Sequence, residues 1–464
     1  MTKDLTVGSP MRLILGFALP TLFGMLFQQF YNLVDTMIVG KLLGAQALAA
    51  VGATSSINFC VIGFCMGVCS GFAIPVAQRM GAKEPGKMRR YVANAAYLSV
   101  VFAVVLTVVT GLACRAILTA MHTPADIIDQ SYAYIFVIFM GIPSNFLYNL
   151  LAGVIRALGD SKTPVYFLAL SSGLNIALDF ILILYFSAGV AGAAIATVAS
   201  QAVSGLACLV YMWKKFPILH MSREECRLDG RTCKVLCSMG IPMGLQYSIT
   251  AIGSIVLQSA VNGLGSTCVA AVAAANKMVV LVACPFDAMG ATMSTYCGQN
   301  VGAGELDRLG KGLRACSLLG LAYALMALGA MIFLAEECAL LFLDPKEENL
   351  DLLVQLTAQF IRSNVFFFFP LALVNILRFS IQGMGYSTFA ILAGVMEMIA
   401  RVVVGRFFVP AIGYTAACFA APLAWVAADL FLVPASMLCI RRLRKLFCVK
   451  AGESPVAVQG AGHT

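Results

Sequence analysis

Long apolar segments, each bounded by short polar or charged stretches, recur along the whole chain. Many of them hold about 20 apolar residues, which as a helix is long enough to cross about 30 Å of hydrocarbon. Short alternating segments of the kind found in outer-membrane strands are not seen, so the predicted spans are helices. The pattern predicts twelve helices, numbered one to twelve: 13–39, 48–77, 91–113, 131–154, 164–186, 190–212, 235–260, 267–296, 313–335, 355–377, 388–410 and 414–440.

The second half of the chain repeats the pattern of the first. Gln78 and Gly81 follow helix two, and Gln299 and Gly302 follow helix eight about 221 residues later. Six helices return a chain to its starting side, so the halves share one orientation and are predicted to be related by a pseudo-two-fold axis along the membrane normal. Further matched positions are Pro20 with Pro242, Asn149 with Asn375, Gly159 with Gly385, and Gly189 with Gly413.

The composition is that of a membrane protein, with 60% hydrophobic and 11% charged residues. A net charge of +9 by itself suggests a nucleic-acid partner. However, the lysines and arginines concentrate in the N-terminal tail, in every second loop (Arg156 and Arg378 among them) and in the C-terminal tail. The positive-inside rule then places both termini in the cytoplasm, and no nucleic-acid partner is expected.

These features predict an all-α integral membrane protein made of two six-helix bundles. The predicted parts are an N-terminal lobe (1–213), a polar cytoplasmic linker (214–234), a C-terminal lobe (235–440) and a basic cytoplasmic tail (441–464). The 16 cysteines occur mostly singly inside apolar runs, which is typical of small buried side chains and not of disulfides or metal sites. The first apolar run lacks a cleavage site, so it is expected to remain as helix one.

Two features suggest enzymatic chemistry, and neither is strong. Residues 81–87 match most of a phosphate-binding loop, but Met88 stands where serine or threonine must bind magnesium, and no strand precedes the loop. The three histidines, His122, His220 and His463, lie in loops or the tail, which excludes a buried histidine-based site. The chain is therefore not expected to be an enzyme, although paired aspartates keep an intramembrane enzyme as an alternative.

Ionisable residues at membrane depth are costly, so they are candidates for function. Asp35 comes late in helix one, and Asp179 lies one turn beyond Asn175 in helix five. Thr197 of helix six is predicted at a similar depth. Two carboxylates, which do not both ionise easily in a low dielectric, with an amide and a hydroxyl suit either Na⁺ or a shared proton. The alternative is that neighbouring groups satisfy each aspartate separately.

The second half does not repeat these acids. Lys277, Glu397 and Arg401 fall inside its helices, and we expect either a structural network or a role in substrate binding or coupling. The role of Asp287 stays open. Methionine and aromatic side chains adapt to varied shapes and attract cations, which favours a large amphipathic cation as substrate. The expected substrate-lining residues are Phe27, Tyr31, Met66, Tyr148, Tyr247, Lys277, Met278 and Glu397.

The segment from Tyr31 to Thr36, the pair Asn175 and Asp179, and the turns after Gln78 and Gln299 resemble the multidrug and toxic compound extrusion (MATE) family. The likeness extends over 13–440 and is closest in kind to the prokaryotic subgroup whose acidic cluster lies in the N-terminal half. It implies a V-shaped pair of bundles in the plasma membrane of a prokaryote. It also implies that Asp35, Asn175, Asp179 and Thr197 form the site for H⁺ or Na⁺.

The resemblance and the residues together predict a secondary antiporter that exports small organic cations in exchange for H⁺ or Na⁺ by alternating access. No cofactor is expected beyond the coupling ion, the expected partners are the substrate and membrane lipid, and a monomer is expected. A lipid-linked oligosaccharide flippase of the same broad fold is the nearest alternative, and it requires a more cationic cavity. An intramembrane enzyme using Asp35 and Asp179 is the alternative from another class.

Overall fold

Helices make up nearly all of the described chain, and the predicted twelve-helix membrane fold is confirmed. The structure, a computed structural model, describes residues 4–121, 123–343 and 349–450, so His122, His463 and the predicted tail beyond Lys450 lie outside it. Within these described residues, ten helices are long and apolar enough to span a membrane, and two bent pairs bring the number to twelve. They are α1 (Pro10–Leu43), α2 (Ala45–Gly81), α3 (Pro85–Ala120), α4 (Ile128–Met140 with Ile142–Ala157), α5 (Thr163–Tyr185), α6 (Gly189–Lys215), α7 (Gly230–Asn262), α8 (Ser266–Ala303), α9 (Leu306–Leu340), α10 (Leu350–Phe366 with Phe368–Gly383), α11 (Ser387–Ile412) and α12 (Tyr414–Lys450).

The two bent helices occupy matching places in the two halves. The segments of α4 meet at 46° and those of α10 at 51°. Pro143 and Pro370 lie in the first turn of the later segment of each helix. Proline has no backbone N–H and its ring crowds the preceding turn, so each helix breaks just before it. The duplication seen in the sequence is therefore also a duplication of helix geometry.

The helices run longer than the apolar pattern predicts because polar residues form their ends. The Asp229 side chain, for example, accepts the backbone N–H groups of Arg231 and Thr232 and begins α7. The longer helices also include two arginines. Arg156 and Arg378, which were expected in loops, lie inside α4 and α10, and Arg378 is buried.

Each half has its own apolar core, and α1 contributes to both. Leu13, Ile14 and Phe17, near the start of α1, pack in the core of the C-terminal half. Ile38 and Val39, near its end, pack in the core of the N-terminal half. The first membrane helix therefore connects the two lobes physically as well as in sequence.

The lobes meet along α2 and α7 at closely spaced glycines. A Cβ on Gly67 would lie 2.5 Å from the Met243 carbonyl oxygen, so only glycine allows this approach. The Ser248 hydroxyl of α7 donates a hydrogen bond to the Cys60 carbonyl oxygen of α2 at 3.3 Å. Among the described residues, this is the hydrogen bond between the lobes that lies farthest along α2 from Gly81. Phe59 of α2 and Ile252 and Ile255 of α7, which lie beyond that level, are exposed.

The lobes are therefore in closest contact at one end of the cleft between them. We call the end that bears Gly81, where the α2 and α8 backbones touch, the closed end, and the opposite end the open end.

The segment between α6 and α7 is fixed to the first lobe. The Arg89 guanidinium donates two hydrogen bonds to the Glu225 carboxylate at 2.7 and 2.8 Å. Asn94 donates to the Arg227 carbonyl oxygen (3.2 Å) and accepts the Asp229 backbone N–H (2.9 Å). The hydrogen bonds from Arg89 lower the pKa of the Glu225 carboxyl to about 2. Stabilisation by this pair is therefore present above the unfolded-state pKa of about 4.3 and is lost only as the pH falls toward that lower value.

Glu225→Gln should loosen this segment. A charge-assisted pair of this exposure contributes up to about 1 kcal/mol, so tryptic cleavage at Arg223 and Arg227 should become several-fold faster at neutral pH. Glu224→Gln, at a neighbouring exposed carboxylate, is the matched control and should leave the cleavage rate unchanged. Equal rates for all three proteins would show that Arg89 and Glu225 do not hold the segment.

Candidate functional site

Two aspartates from different helices face each other inside the N-terminal lobe. Asp35 lies on α1 and Asp179 on α5, directly before a π-helical turn that begins at Ile181. Asp179 is fully buried, and its carboxyl group lies within hydrogen-bonding reach of that of Asp35. A hydrogen bond between two carboxyl groups exists only when one of them carries a proton.

Oxygen atoms without a donor gather at this pair. Asp35 Oδ1, both carboxylate oxygens of Asp179 and Asn175 Oδ1 are buried, and no hydrogen-bond donor of the described residues reaches them. An unpaired buried oxygen costs about 1–3 kcal/mol, and more when it is charged. The four oxygens thus form an acceptor-only cluster, and a proton or a hard monovalent cation is the group that satisfies it.

The neighbouring polar groups are held by each other. Asn175 Nδ2 donates to Thr197 Oγ1 at 3.2 Å, and the Thr197 hydroxyl donates to the Ala193 carbonyl oxygen at 3.1 Å. Tyr31 lies within hydrogen-bonding reach of Thr197. The Asn175 amide nitrogen and the Thr197 hydroxyl thus donate away from the acids, and the Asn175 oxygen has no donor among the described residues. The structure therefore brings all four residues that the sequence singled out into one place.

Sequence reasoning missed one member of the site, Tyr134. This buried tyrosine is on the first segment of α4, and its phenol lies near both Asp35 and Asp179. That segment packs on α6 beside the acid pair, and α4 bends just after it. The apolar pattern showed one straight helix, so it gave no signal of which tyrosine would face the site.

The ionic network of the C-terminal lobe differs from the predicted one. Glu397 pairs with Arg378 and with Arg401, the latter at 3.6 Å. Lys277 is exposed and forms no ion pair with Glu397 among the described residues, and Arg378 of α10 forms that pair instead. Arg401 also donates to the Ser254 hydroxyl at 3.3 Å. The network joins α7, α10 and α11.

Two more charges lie near the centre of the cleft, on opposite lobes. Arg156 at the end of α4 faces the Tyr148 and Tyr247 rings, and within the described chain no acid forms an ion pair with it. Asp287 of α8 is exposed, yet Tyr247, Asn375 and Arg378 surround it, so it faces the cleft. An unpaired charge at this depth is a candidate contact for a substrate.

The other expected lining residues divide into accessible and buried groups. Phe27 is exposed, and Met66, Tyr31 and Tyr247 are partly accessible. Tyr148 is partly accessible, and its hydroxyl donates to the Pro164 carbonyl oxygen (3.1 Å). Glu397 is buried in its ion pairs. Met278 is buried in the apolar core of the C-terminal half, so its expected place in the lining is wrong, because this helix face packs inward.

Comparison with known proteins agrees with this architecture. The family model MatE matches residues 20–181 and 242–407, one block in each half. The probable multidrug resistance protein YoeA of Bacillus subtilis (strain 168) is 32% identical over 305 residues, which cover 64% of this chain and 66% of that protein. The match thus spans just under two thirds of that relative. The FAD transporter of Shewanella oneidensis is 22% identical over 341 residues, or 71% of this chain and 74% of that protein.

Solved structures show the same fold. A MATE protein crystallised in complex with MaL6 superposes with a TM-score of 0.87 at 23% identity, over 96% of this chain and 100% of that one. A multidrug resistance MATE transporter in an outward-facing conformation gives a TM-score of 0.87 at 21% identity, over 96% of this chain and 99% of that one. Both are twelve-helix membrane proteins and neither is an enzyme.

The acid pair should make folding stability depend on a monovalent cation. A ligand that binds only the folded protein stabilises it, and each tenfold rise above its dissociation constant adds about 1.4 kcal/mol. We expect the melting temperature of the purified protein to rise with either Na⁺ or proton concentration. Asp179→Asn, whose amide supplies a donor to Asp35, should abolish that dependence, whereas Asp129→Asn at an exposed site should keep it. A wild-type melting temperature indifferent to both ions would contradict the site.

Proposed function

Because the chain belongs to the multidrug and toxic compound extrusion (MATE) family, we propose that it is a secondary antiporter that exports organic cations in exchange for H⁺ or Na⁺. The observation that carries the proposal is the acceptor-only cluster around Asp35 and Asp179. This cluster must take up a cation when the cargo is absent, and it lies in one lobe of a two-lobed carrier. Such a site is suited to exchanging a cation for the cargo.

The position of Asp35 on α1 supports coupling between ion binding and movement of the lobes. The early part of α1 packs in the C-terminal lobe and the late part carries Asp35 in the N-terminal lobe. Pro20 and Gly24 lie between these parts, and a Cβ on Gly24 would come within 2.9 Å of Val165. Neutralising the acid pair changes the charge on this helix, so the packing of α1 and the arrangement of the lobes depend on the bound ion.

The proposed setting follows from the charges of the loops and the shape of the cleft. The basic loops lie at the closed end, which we assign to the cytoplasm together with both termini. The ion then enters from outside through the open end. We further propose that the protein acts as a monomer in the plasma membrane of a prokaryote, because each chain contains both lobes of the cleft.

Asp35→Asn should abolish transport while the protein still folds. The variant cannot exchange its charge with an ion, so an imposed gradient no longer biases the carrier and efflux of a fluorescent cation should fall roughly tenfold or more. The assay uses purified protein in vesicles, with a pH gradient and a sodium gradient applied separately to identify the ion. Asp129→Asn is the matched control. Undiminished efflux by Asp35→Asn would refute the coupling role.

Arg156 favours a second candidate for the cargo, one that carries an anionic group. A guanidinium without an acid partner binds carboxylate or phosphate strongly in a low dielectric, and Tyr148 and Tyr247 lie beside it. The FAD transporter among the relatives and the flippase alternative both concern phosphate-bearing molecules. The acid pair of the N-terminal lobe still favours the antiporter over a flippase that needs a cationic cavity.

Arg156→Gln should distinguish these cargoes. Binding of a fluorescent dye with a free carboxylate should weaken roughly tenfold or more, since a charged hydrogen bond is lost, while binding of its methyl ester should not change. Titration of the purified protein without a gradient measures both. Arg406→Gln, at an exposed arginine, serves as the control. Equal effects on dye and ester would exclude an anion contact at Arg156.

A further inference from the structure

The two glutamine turns that reveal the sequence repeat touch each other at the closed end. Gly81 at the end of α2 lies against the Gln299 carbonyl group, and Gly302 near the end of α8 lies against the Gln78 carbonyl group. A Cβ on either glycine would overlap the backbone of the other lobe. Neither glycine has a positive φ, so it is this close approach, and not backbone strain, that requires glycine here.

The glutamines then reach across the interface in a reciprocal way. Gln78 Nε2 of the N-terminal lobe donates to the Gly383 carbonyl oxygen at the end of α10 (3.1 Å). Gln299 Nε2 of the C-terminal lobe donates to the Ala157 carbonyl oxygen at the end of α4 (2.9 Å). Gln78 matches Gln299 in the repeat, and Ala157 matches Gly383. The pair of hydrogen bonds therefore follows the pseudo-two-fold axis.

The acceptors suit a contact that opens and closes. Both are carbonyl groups in the last turn of a helix, which have no partner within the helix. When the lobes separate, water replaces the glutamine amide at each of them, so the net cost of breaking each hydrogen bond is small. Breaking a contact between groups in the middle of helices in lipid would cost more free energy, because no water is present there to replace it.

A segment before α1 strengthens only one of the two contacts. Gln299 Oε1 accepts the Leu5 backbone N–H at 2.9 Å, and Leu5 is buried in the core of the C-terminal half. Arg308 donates to the Gly8 carbonyl oxygen at 2.9 Å. Gln299 is thus held through both its amide oxygen and its amide nitrogen. The contact made by Gln299 is therefore stronger than the matching contact made by Gln78.

We propose that Gln78 and Gln299, with Gly81 and Gly302, form a latch that closes the cytoplasmic side of the carrier and is released in each transport cycle. Its symmetry means that each lobe contributes one donor and one acceptor, so releasing either hydrogen bond weakens the hold on both lobes. The assignment of the closed end to the cytoplasm rests on the proposed function. Release in each cycle requires that the protein is a carrier, and the closed contact itself rests on the hydrogen bonds and the glycine approach.

Hydrogen–deuterium exchange of the purified full-length protein tests the latch without substrate or gradient. The readout is deuterium uptake in the turns that follow α2 and α8, residues 82–84 and 304–305. Gln299→Leu should raise the exchange rate in both turns by about fivefold or more, the size expected for losing a net hydrogen bond. Gln78→Leu should raise it in both turns by less, because Gln299 retains its contacts to Ala157 and Leu5.

Gly302→Ala keeps the test decisive if a glutamine variant folds poorly. Alanine favours the helix, and the overlap it creates is with the other lobe, so each lobe keeps its structure while the closed end separates. Exchange in both turns should exceed that of either glutamine variant. The matched control is Gln258→Leu, at an exposed glutamine toward the end of α7, which should match the wild type.

Two outcomes would overturn the latch. In one, the two glutamine variants and Gly302→Ala leave exchange in both turns unchanged. In the other, Gln258→Leu raises exchange in these turns as much as Gln299→Leu does, which means general loosening. Efflux by Asp35→Asn tests the antiporter, and hydrogen–deuterium exchange tests the latch. Either proposal can therefore fail without the other.

Discussion

An acceptor-only cluster of oxygens inside a helical membrane bundle is the constraint on which the site depends. Carboxylate oxygens cannot donate hydrogen bonds, and burial makes their unpaired charge costly. Asp35 and Asp179 face each other, Asn175 lies one turn before Asp179, and the Asn175 amide and the Thr197 hydroxyl donate elsewhere. The cluster therefore has to be completed from outside the chain. This need is the basis for the proposed cation site.

The duplicated halves share their backbone geometry but not their charges. Both contain a helix broken before a proline, a π-helical turn at the matching place in α5 and α11, and a glutamine that reaches the other lobe. The acids differ. In the C-terminal lobe Arg401 stands at the repeat position of Asn175, and Glu397 lies between it and Arg378. Glu397 is therefore paired with arginines inside its own lobe, whereas Asp35 and Asp179 face each other without a cationic partner.

Helix α1 links that asymmetry to the whole molecule. Its first turns belong to the core of the C-terminal lobe and its last turns to the core of the N-terminal lobe, with Asp35 near the second end. A change in charge at Asp35 therefore acts on a helix that both lobes hold. The segment before α1 also contacts Gln299 at the closed end. The proposed cation site and the closed end of the cleft thus lie toward opposite ends of one structural element.

The sequence by itself determined the number of helices, the duplication, the basic loops and the four residues Asp35, Asn175, Asp179 and Thr197, because apolar length, spacing and residue type carry that information. Only the tertiary structure showed that Tyr134 joins the acids, that Arg378 replaces Lys277 beside Glu397, and that Arg156 lies without an acid partner. A hydropathy pattern in a membrane helix gives its length but not its rotation or its bend. In lipid, nearly every face is apolar, so packing against neighbouring helices decides which polar side chains meet.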